Sequence, residues 1–257
     1  MSKPLPDEVA KRLLILKYQV VQALAMPPQD LLKNVFPQWS KQEQKKFTNN
    51  FAEHSSQLVT AMKSAHLWDL ITKEEKEFIQ SVPPKVKPQQ HLNAMWRLES
   101  VVILMWVLGM VEEFPPFDSQ TNPEIMKQIP YEDPGLFISR AKLGSDADIE
   151  RKRALAELWH WRSRTRQLIE MGKQPPSNTG FTSFDQIVQA VATEALKQGD
   201  LSQVIDNDFV AKGKPYRILT TQEWSEVRSI TMERHHALNW LCGYAPGNKW
   251  DKTPTET

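Results

Sequence analysis

Histidine, arginine and glutamate side chains on three predicted helices are the residues of this sequence that could carry out chemistry. Eight residues form the candidate polar cluster: Arg97, Glu99, His160, Arg164, Glu233, Arg234, His235 and Asn239. An imidazole can transfer protons near neutral pH, and an arginine beside it can bind a phosphate group. The same side chains can instead form buried ion pairs that hold helices together. The sequence leaves both alternatives open, a functional site and a structural cluster.

Four charged residues of this cluster lie on or beside apolar helical faces. Arg97 and Glu99 come just before the most apolar stretch, residues 101–111, and Arg234 lies on the apolar stripe of the last predicted helix, next to Glu233. An isolated buried charge is costly. We therefore predict that these two helices lie side by side, with an arginine of the cluster bonded to a glutamate. Asn239 is expected to bond to the backbone where the chain turns after the last helix.

The histidines do not have the spacing of a metal site. No two of the six are three or four positions apart: His54, His66, His91, His160, His235 and His236. A single cysteine, Cys242, excludes an intramolecular disulfide and a cysteine-based zinc site, and we expect this thiol to be buried rather than nucleophilic. The sequence also lacks a nucleophile elbow, a Walker loop and a dinucleotide-binding glycine motif. We predict no metal and no cofactor.

The stretch 151–166 is basic, with six basic residues against one acid, Glu157. It could form an anion site for a phosphate or an acidic partner, with an arginine stacked on Trp159. The alternative is a solvated basic face whose arginines pair with acids on neighbouring helices. We prefer this second interpretation because exposed arginines commonly form such pairs.

Proline residues divide the sequence into the helical segments that must position these side chains. There are 18 prolines, including four Pro-Pro pairs, and proline disrupts helix interiors. Glycine is scarce, no Asn-Gly or Asp-Gly hairpin signal is present, and no run of five residues alternates cleanly between apolar and polar. We predict an all-α fold of about seven to nine helices, without a sheet of three or more strands.

The arrangement of the predicted helices favours a single domain over residues 1–257. The central apolar helix, about 89–112, needs cover on several sides, and the amphipathic helices before and after it can provide that cover. Capping boxes at Ser40, Thr72 and Thr220 mark three of the helix starts. The segment 173–218 is rich in turn-forming residues and is predicted to be a peripheral insertion.

Charge and hydropathy exclude several classes of partner. The net charge is +1, so nothing indicates nucleic-acid binding. The longest apolar run has eleven residues, whereas a membrane-spanning helix needs about 20. Neither a signal peptide nor a membrane segment is evident. We expect a cytoplasmic, bacterial protein that contacts neither nucleic acid nor membrane.

Several motifs resemble a known family. The blocks 96–99 and 104–109 resemble W-R-x-E and L-x-W-x-L-G, residues 160–164 resemble H-W-x-x-R, and residues 233–243 with 250–251 resemble E-R-x-x-A-L-N-W-L-x-G…W-D. These are the motifs of the family called domain of unknown function 4272. The resemblance implies a helical fold and a shared set of polar positions, and it implies no reaction.

Two functions from different classes follow. The first, which we prefer, is a non-enzymatic module that binds another protein, for instance as an antagonist that neutralises a toxin in bacteria. The alternative is an enzyme that processes a small molecule or a phosphoester, with a site around five residues: Arg97, Glu99, His160, Glu233 and His235. An open pocket lined by these residues would favour the enzyme, and sealed, paired side chains would favour the binding module. Nothing in the sequence indicates the oligomeric state.

Overall fold

The computed structural model describes residues 2–130, 132–177 and 180–255, and these are predominantly helical. The described chain contains eight α-helices, which confirms the predicted all-α class. They are α1 (Pro6–Ala25), α2 (Lys41–Ser64), α3 (Lys73–Gln80), α4 (Pro88–Val107), α5 (Pro134–Ser139), α6 (Asp146–Glu170), α7 (Phe184–Gln198) and α8 (Thr221–Leu241).

Backbone contacts divide the chain into two compact units. Unit 1 comprises Met1–Lys3, Glu113–Thr121 and Gly144–Thr257, and unit 2 comprises Pro4–Glu112 and Asn122–Leu143. Unit 2 therefore contains α1 to α5, and unit 1 contains α6 to α8. The prediction of a single domain stays a prediction, because compactness by contact does not show how each unit folds on its own.

In unit 2 the helices α1 and α4 pack along each other. Both bury apolar side chains along most of their length, as the central apolar helix requires. A second apolar cluster joins α1, α2, α3 and α4 through six buried side chains: Ala23, Met26, Phe51, Phe78, Val86 and Ala94. Burial of the methionine, phenylalanine and valine side chains of this cluster stabilises the fold by about 1.5–3 kcal/mol each.

The central helix ends earlier than its apolar sequence suggests. We predicted a helix to about residue 112, but α4 ends at Val107. Gly109 follows with a φ of 69°, and the Met110 N–H donates to the Met105 carbonyl at 2.9 Å. This left-handed glycine and its 6→1 hydrogen bond are a Schellman termination, which stops the helix although the residues beyond it remain apolar.

In unit 1 the helices α6 and α8 pack along each other, and a small antiparallel sheet follows α7. Its strands are β1 (Val204–Ile205), β2 (Asp208–Ala211) and β3 (Lys214–Pro215), in the order β1-β2-β3. The prediction that no sheet of three or more strands forms is therefore wrong.

The turns of this sheet explain the error. Asp206 and Asn207 join β1 to β2, and Lys212 and Gly213 join β2 to β3, all four with positive φ. Two consecutive left-handed residues give the type I′ geometry of tight hairpins. Since Asp-Asn and Lys-Gly are not the Asn-Gly or Asp-Gly pairs that usually mark such turns, the search for those pairs missed both hairpins.

The second half of the segment 173–218 contributes to the interior of unit 1. Asp208, Phe209, Ala211 and Tyr216 are each fully buried. Strand β2 lies against α7, and its Asp208 side chain bonds to Arg162 on α6. The prediction of a peripheral insertion stays a prediction.

The predicted helix starts are correct at all three capping boxes. Ser40, Thr72 and Thr220 each accept a hydrogen bond from the backbone of the glutamate three residues later, and that glutamate bonds back to the cap. Among the residues that the structure describes, we find no helix with the length and apolar character needed to cross a membrane.

Candidate functional site

The candidate polar cluster is divided between the two units. Arg97 and Glu99 lie on α4 in unit 2, and Glu99 is fully buried. The other six residues lie on α6 and α8 in unit 1: His160, Arg164, Glu233, Arg234, His235 and Asn239. The predicted ion pairing between the α4 residues and the α8 residues stays a prediction.

Within unit 1, two histidines of the cluster form a direct contact. The Nδ1 atoms of His160 on α6 and His235 on α8 are 3.1 Å apart, and the rings meet edge to face at 67°. His160 is 8% exposed and His235 is 1% exposed. At this distance one ring donates its Nδ1 proton and the other accepts it, so at least the accepting imidazole is neutral.

The surroundings of this pair favour its neutral state. Burial lowers the pKa of His160 to about 4, and the positive charges of Arg228 and Arg164 act in the same direction. Burial also lowers the pKa of His235 to about 3, helped by His160 and Arg153 and opposed by the nearby Asn239 side chain. Neither ring is therefore in the range of a general base that works near neutral pH.

Arg234 bonds to the backbone of a distant segment. Its guanidinium is fully buried and donates to the carbonyls of Pro115 at 3.1 Å, of Pro116, and of Ser119 at 3.1 Å. One arginine thus satisfies several carbonyls and holds the segment 113–121 against α8. Sequence reasoning correctly predicted that Arg234 is buried but did not identify these backbone partners.

Asn239 has the backbone role that we expected. Its side-chain amide donates to the Pro254 carbonyl at 2.8 Å. The chain after α8 is further fixed by the indole of Trp240, which donates to the Asn248 carbonyl at 3.1 Å. Asn239 therefore helps to fold the C-terminal segment back onto its own helix.

The best-formed ion pair of unit 1 was not among the sequence candidates. Arg162 on α6 donates to Asp208 on β2 through two parallel bonds, Nε to Oδ1 and Nη2 to Oδ2, both of 2.7 Å. The two side chains are 2% and 0% exposed, and the guanidinium lies 4.5 Å from the centre of the Tyr216 ring. Asp208 also accepts the backbone N–H groups of Phe209 and Arg217, each at 2.8 Å.

Electrostatics confirm that Asp208 is held as a carboxylate. Burial alone would raise its pKa, but the hydrogen bond and charge of Arg162 outweigh burial and hold the pKa below its ordinary value. In the sequence, Arg162 is one of several basic residues near Trp159, and Asp208 lies between two turn dipeptides. Neither residue type nor spacing identifies the two as partners.

Three of the six basic residues in the basic stretch of α6 pair with acids of the same helix. Arg151 bonds to Asp148, Arg153 to Glu150 and Glu157, and Arg166 to Glu170. These pairs support the preferred interpretation, although the acids lie on α6 itself rather than on neighbouring helices.

The arginine–tryptophan stacking considered for Trp159 is found at Trp224 instead. Trp159 stacks on Phe117 with a ring separation of 5.7 Å and an interplanar angle of 17°, while Arg166 lies 5.1 Å from the ring of Trp224. Arg164 is exposed and donates to Gln167 at 2.6 Å.

The thiol of Cys242, the single cysteine, is in an unreactive form. Burial and a hydrogen bond with Glu150 raise the pKa of Cys242 to about 12, so that the unreactive thiol form dominates. Throughout the described ranges, no three His, Cys, Asp or Glu side chains are grouped so that they could hold a metal ion.

An open apolar groove lies in unit 2, and none of the residues that line it belongs to the candidate polar cluster. Its volume is about 530 Å³, and its apolar lining comes from Leu108, Pro130, Leu136 and Phe137. Leu136 on the short helix α5 is 43% exposed. Sequence analysis did not single out these residues, because none of them carries a reactive group.

Charged residues flank the groove at the two ends of α5. Glu132 and Asp133 come before this helix, and Arg140 and Lys142 come after it. Asp133 caps α5 by accepting the Leu136 N–H at 2.8 Å. Lys17 fixes the neighbouring wall, because its buried ammonium donates to the Ile129 carbonyl at 2.7 Å.

The fold and the site define a mostly α-helical protein with buried polar side chains that bond to each other, as in Arg162–Asp208, or to the backbone, as in Arg234. The chain belongs to the family described as Domain of unknown function (DUF4272), which matches residues 2–179. The W-R-x-E and H-W-x-x-R blocks lie within this range, and the block 233–243 lies beyond it. No curated protein and no solved structure matches the chain.

Proposed function

We propose that this protein is a non-enzymatic module that binds an apolar segment of another protein in the groove of unit 2. The observation that carries the proposal is the groove itself, an open apolar cleft with half-exposed leucine and phenylalanine side chains on α5. Exposed apolar surface of this kind commonly marks an interaction site.

The state of the candidate catalytic residues supports binding rather than catalysis. His160 and His235 bond to each other, and both are buried, as is Glu233. A general acid or base must reach its substrate directly or through one water molecule. The small-molecule or phosphoester enzyme remains the alternative, and activity by these residues would require the interior of unit 1 to open.

The charges at the ends of α5 suggest the chemistry of the partner. A segment with apolar side chains for Leu136 and Phe137, a basic residue near Glu132 and an acidic residue near Arg140 would complement the groove. Such charge complementarity selects the orientation of a bound segment more than its affinity. A toxin bound and neutralised in the bacterial cytoplasm is the more specific form of this proposal.

Selection of displayed peptides on the full chain tests this function. We expect wild-type protein to enrich apolar peptides that carry a basic and an acidic end, and Leu136→Asp to lose that enrichment. An aspartate at this position suits the first turn of a helix, so α5 should still form. Leu92→Asp is the matched control, because Leu92 is 49% exposed on α4 and does not line the groove.

Reversal of the positive charges after α5 tests the orientation of the bound peptide. The double variant Arg140→Glu and Lys142→Glu should replace the acidic end of the enriched peptides with a basic one. Failure of wild-type protein to enrich any peptide family, or equal enrichment by Leu136→Asp, would reject the groove as the binding site.

A further inference from the structure

The contact between His160 and His235 can hold only one proton between its two facing nitrogen atoms. With the Nδ1 atoms 3.1 Å apart, one nitrogen donates and the other must keep its lone pair. If both Nδ1 atoms carried a proton, their N–H groups would point at each other and the hydrogen bond would be lost. When both rings are charged, each Nδ1 atom carries a proton, so the contact is incompatible with protonation of both rings.

The charged groups that shift the pKa values of the two rings are all positive. On α6, Arg153, His160 and Arg164 follow one stripe, and on α8 Arg228 lies two turns before His235. The charged groups that act on the pair from these two helices are the three arginines. The carboxylate of Glu157 is bonded to Arg153 at 2.8 Å.

The pair lies inside the principal helix contact of unit 1. His235 is 1% exposed, and its Nε2 atom is buried as well. A positive charge at this place would be desolvated and next to another positive group, which is strongly unfavourable. Movement of α6 away from α8 would admit water, which would hydrate the charge and lower its cost.

We propose that the His160–His235 pair is an acid-sensitive latch that holds α6 against α8 in unit 1 and releases them when both rings become protonated. This device is independent of the groove in unit 2 and of the function assigned to it. It would loosen unit 1 on acidification while the helices of unit 2 keep their packing.

The direction of the effect follows from proton linkage. In the folded protein the pKa of both rings lies below the ordinary value of 6.5. Above pH 6.5 both rings are deprotonated in the folded and in the unfolded state. The pair therefore makes its full contribution to the free energy of unfolding. Below pH 6.5 the unfolded state binds protons that the folded state excludes, and the contribution to stability falls until about pH 4 for His160 and about pH 3 for His235.

Unfolding of the full chain by denaturant, measured from pH 7.5 to pH 4.5, tests the latch. For wild-type protein each histidine should raise the unfolding equilibrium constant by up to about tenfold per pH unit below 6.5. The double variant His160→Gln and His235→Gln should lose this part of the pH dependence. The control His66→Gln, which removes an exposed histidine of unit 2, should keep the wild-type slope.

Two measurements on wild-type protein keep the proposal testable if the double variant does not fold. Imidazole NMR signals of both residues should stay those of neutral rings down to about pH 5. Amide exchange, corrected for its chemical pH dependence, should accelerate in α6 and α8 at pH 5 relative to α1 and α4.

The latch would be overturned by any of three results. These are an unchanged pH slope in the folded double variant, titration of both rings near pH 6.5 in the folded wild type, and equal acceleration of exchange in all four helices.

Discussion

Two fully buried arginines show how the same side chain is satisfied in different ways. Arg162 meets a carboxylate through two parallel hydrogen bonds, whereas Arg234 meets main-chain carbonyls of the segment 113–121. A planar guanidinium has five donors in a fixed fork, so it suits both environments. These arginines fix the hairpin of unit 1 and the segment 113–121 to the helices α6 and α8.

The substitution Asp208→Asn tests the role of the buried pair. Removal of the negative charge leaves the Arg162 guanidinium buried without its counter-ion, which should lower the free energy of unfolding by about 3–5 kcal/mol. Chemical denaturation at pH 7 measures the change. The pKa of Asp208 lies below its ordinary value, so the pair should keep its contribution above about pH 4 and lose it as the pH falls further.

The matched control is an exposed ion pair on the same helix. Arg151 and Asp148 are 3.5 Å apart, with side chains that are 70% and 57% exposed. The substitution Arg151→Gln should change the free energy of unfolding by at most about 0.5 kcal/mol. Comparable losses in the two variants would contradict the view that burial makes the Arg162–Asp208 pair important.

At the residue scale, burial could be predicted from sequence but partners could not. The helical stripe of α8 correctly placed Arg234 in the interior. Its partners lie more than 110 positions earlier in the chain, in a proline-rich segment without periodicity. The pairing of Arg162 with Asp208 likewise depends on two hairpins that the sequence search missed.

At the scale of elements, helix starts were predicted better than helix ends. A capping box is a local pattern of two side chains, and all three boxes begin helices where expected. The end of α4 depends on a single left-handed glycine inside an apolar stretch, which hydrophobic periodicity does not register. The hairpin turns depend in the same way on backbone conformation at four residues.

Two glycines with similar φ allow the cost of a close backbone contact to be separated from the cost of backbone strain. Gly243 follows α8, and Gly213 lies in the turn between β2 and β3. Gly243 after α8 has a φ of 81°, and an added Cβ would lie 3.1 Å from the Ser2 carbonyl oxygen and 3.2 Å from the Lys3 nitrogen. Gly213 has a φ of 74° with nothing within 4 Å of such a Cβ. Only Gly243 therefore combines backbone strain with a close approach of another segment.

We expect Gly213→Ala to lower the free energy of unfolding by about 1–2 kcal/mol, the cost of a left-handed alanine. Gly243→Ala should cost about 1–3 kcal/mol more, because the backbone at residues 2 and 3 must move. Thermal or chemical unfolding of the two variants measures the difference. Equal losses would show that the N-terminal residues move aside without cost.

At the scale of the whole molecule, the sequence predicted the helical class but not the grouping of helices. The chain contributes three separate stretches to unit 1 and two to unit 2. Hydrophobic periodicity identifies which face of a helix is buried, but it does not identify the neighbour that covers that face. Only the structure shows that α1 packs on α4 and that α6 packs on α8.

The location of the proposed binding surface is also a property of the fold. The groove of unit 2 combines the end of α4 with residues 130–142, and its apolar lining residues have no reactive groups. The reactive residue types point instead to polar residues of α4, α6 and α8. Of these, His160 and His235 bond to each other and Asn239 bonds to the backbone. Function by surface contact leaves little trace in residue types alone.

The affinity of a peptide obtained by selection on wild-type protein tests the central claim most directly. Binding of that peptide to the full chain, measured by isothermal titration calorimetry, should weaken at least about tenfold in Leu136→Asp, equivalent to about 1.4 kcal/mol. Leu92→Asp should bind as wild type does. Equal affinity of all three proteins, or equal weakening in both variants, would contradict the proposal that the groove beside α5 is the binding site.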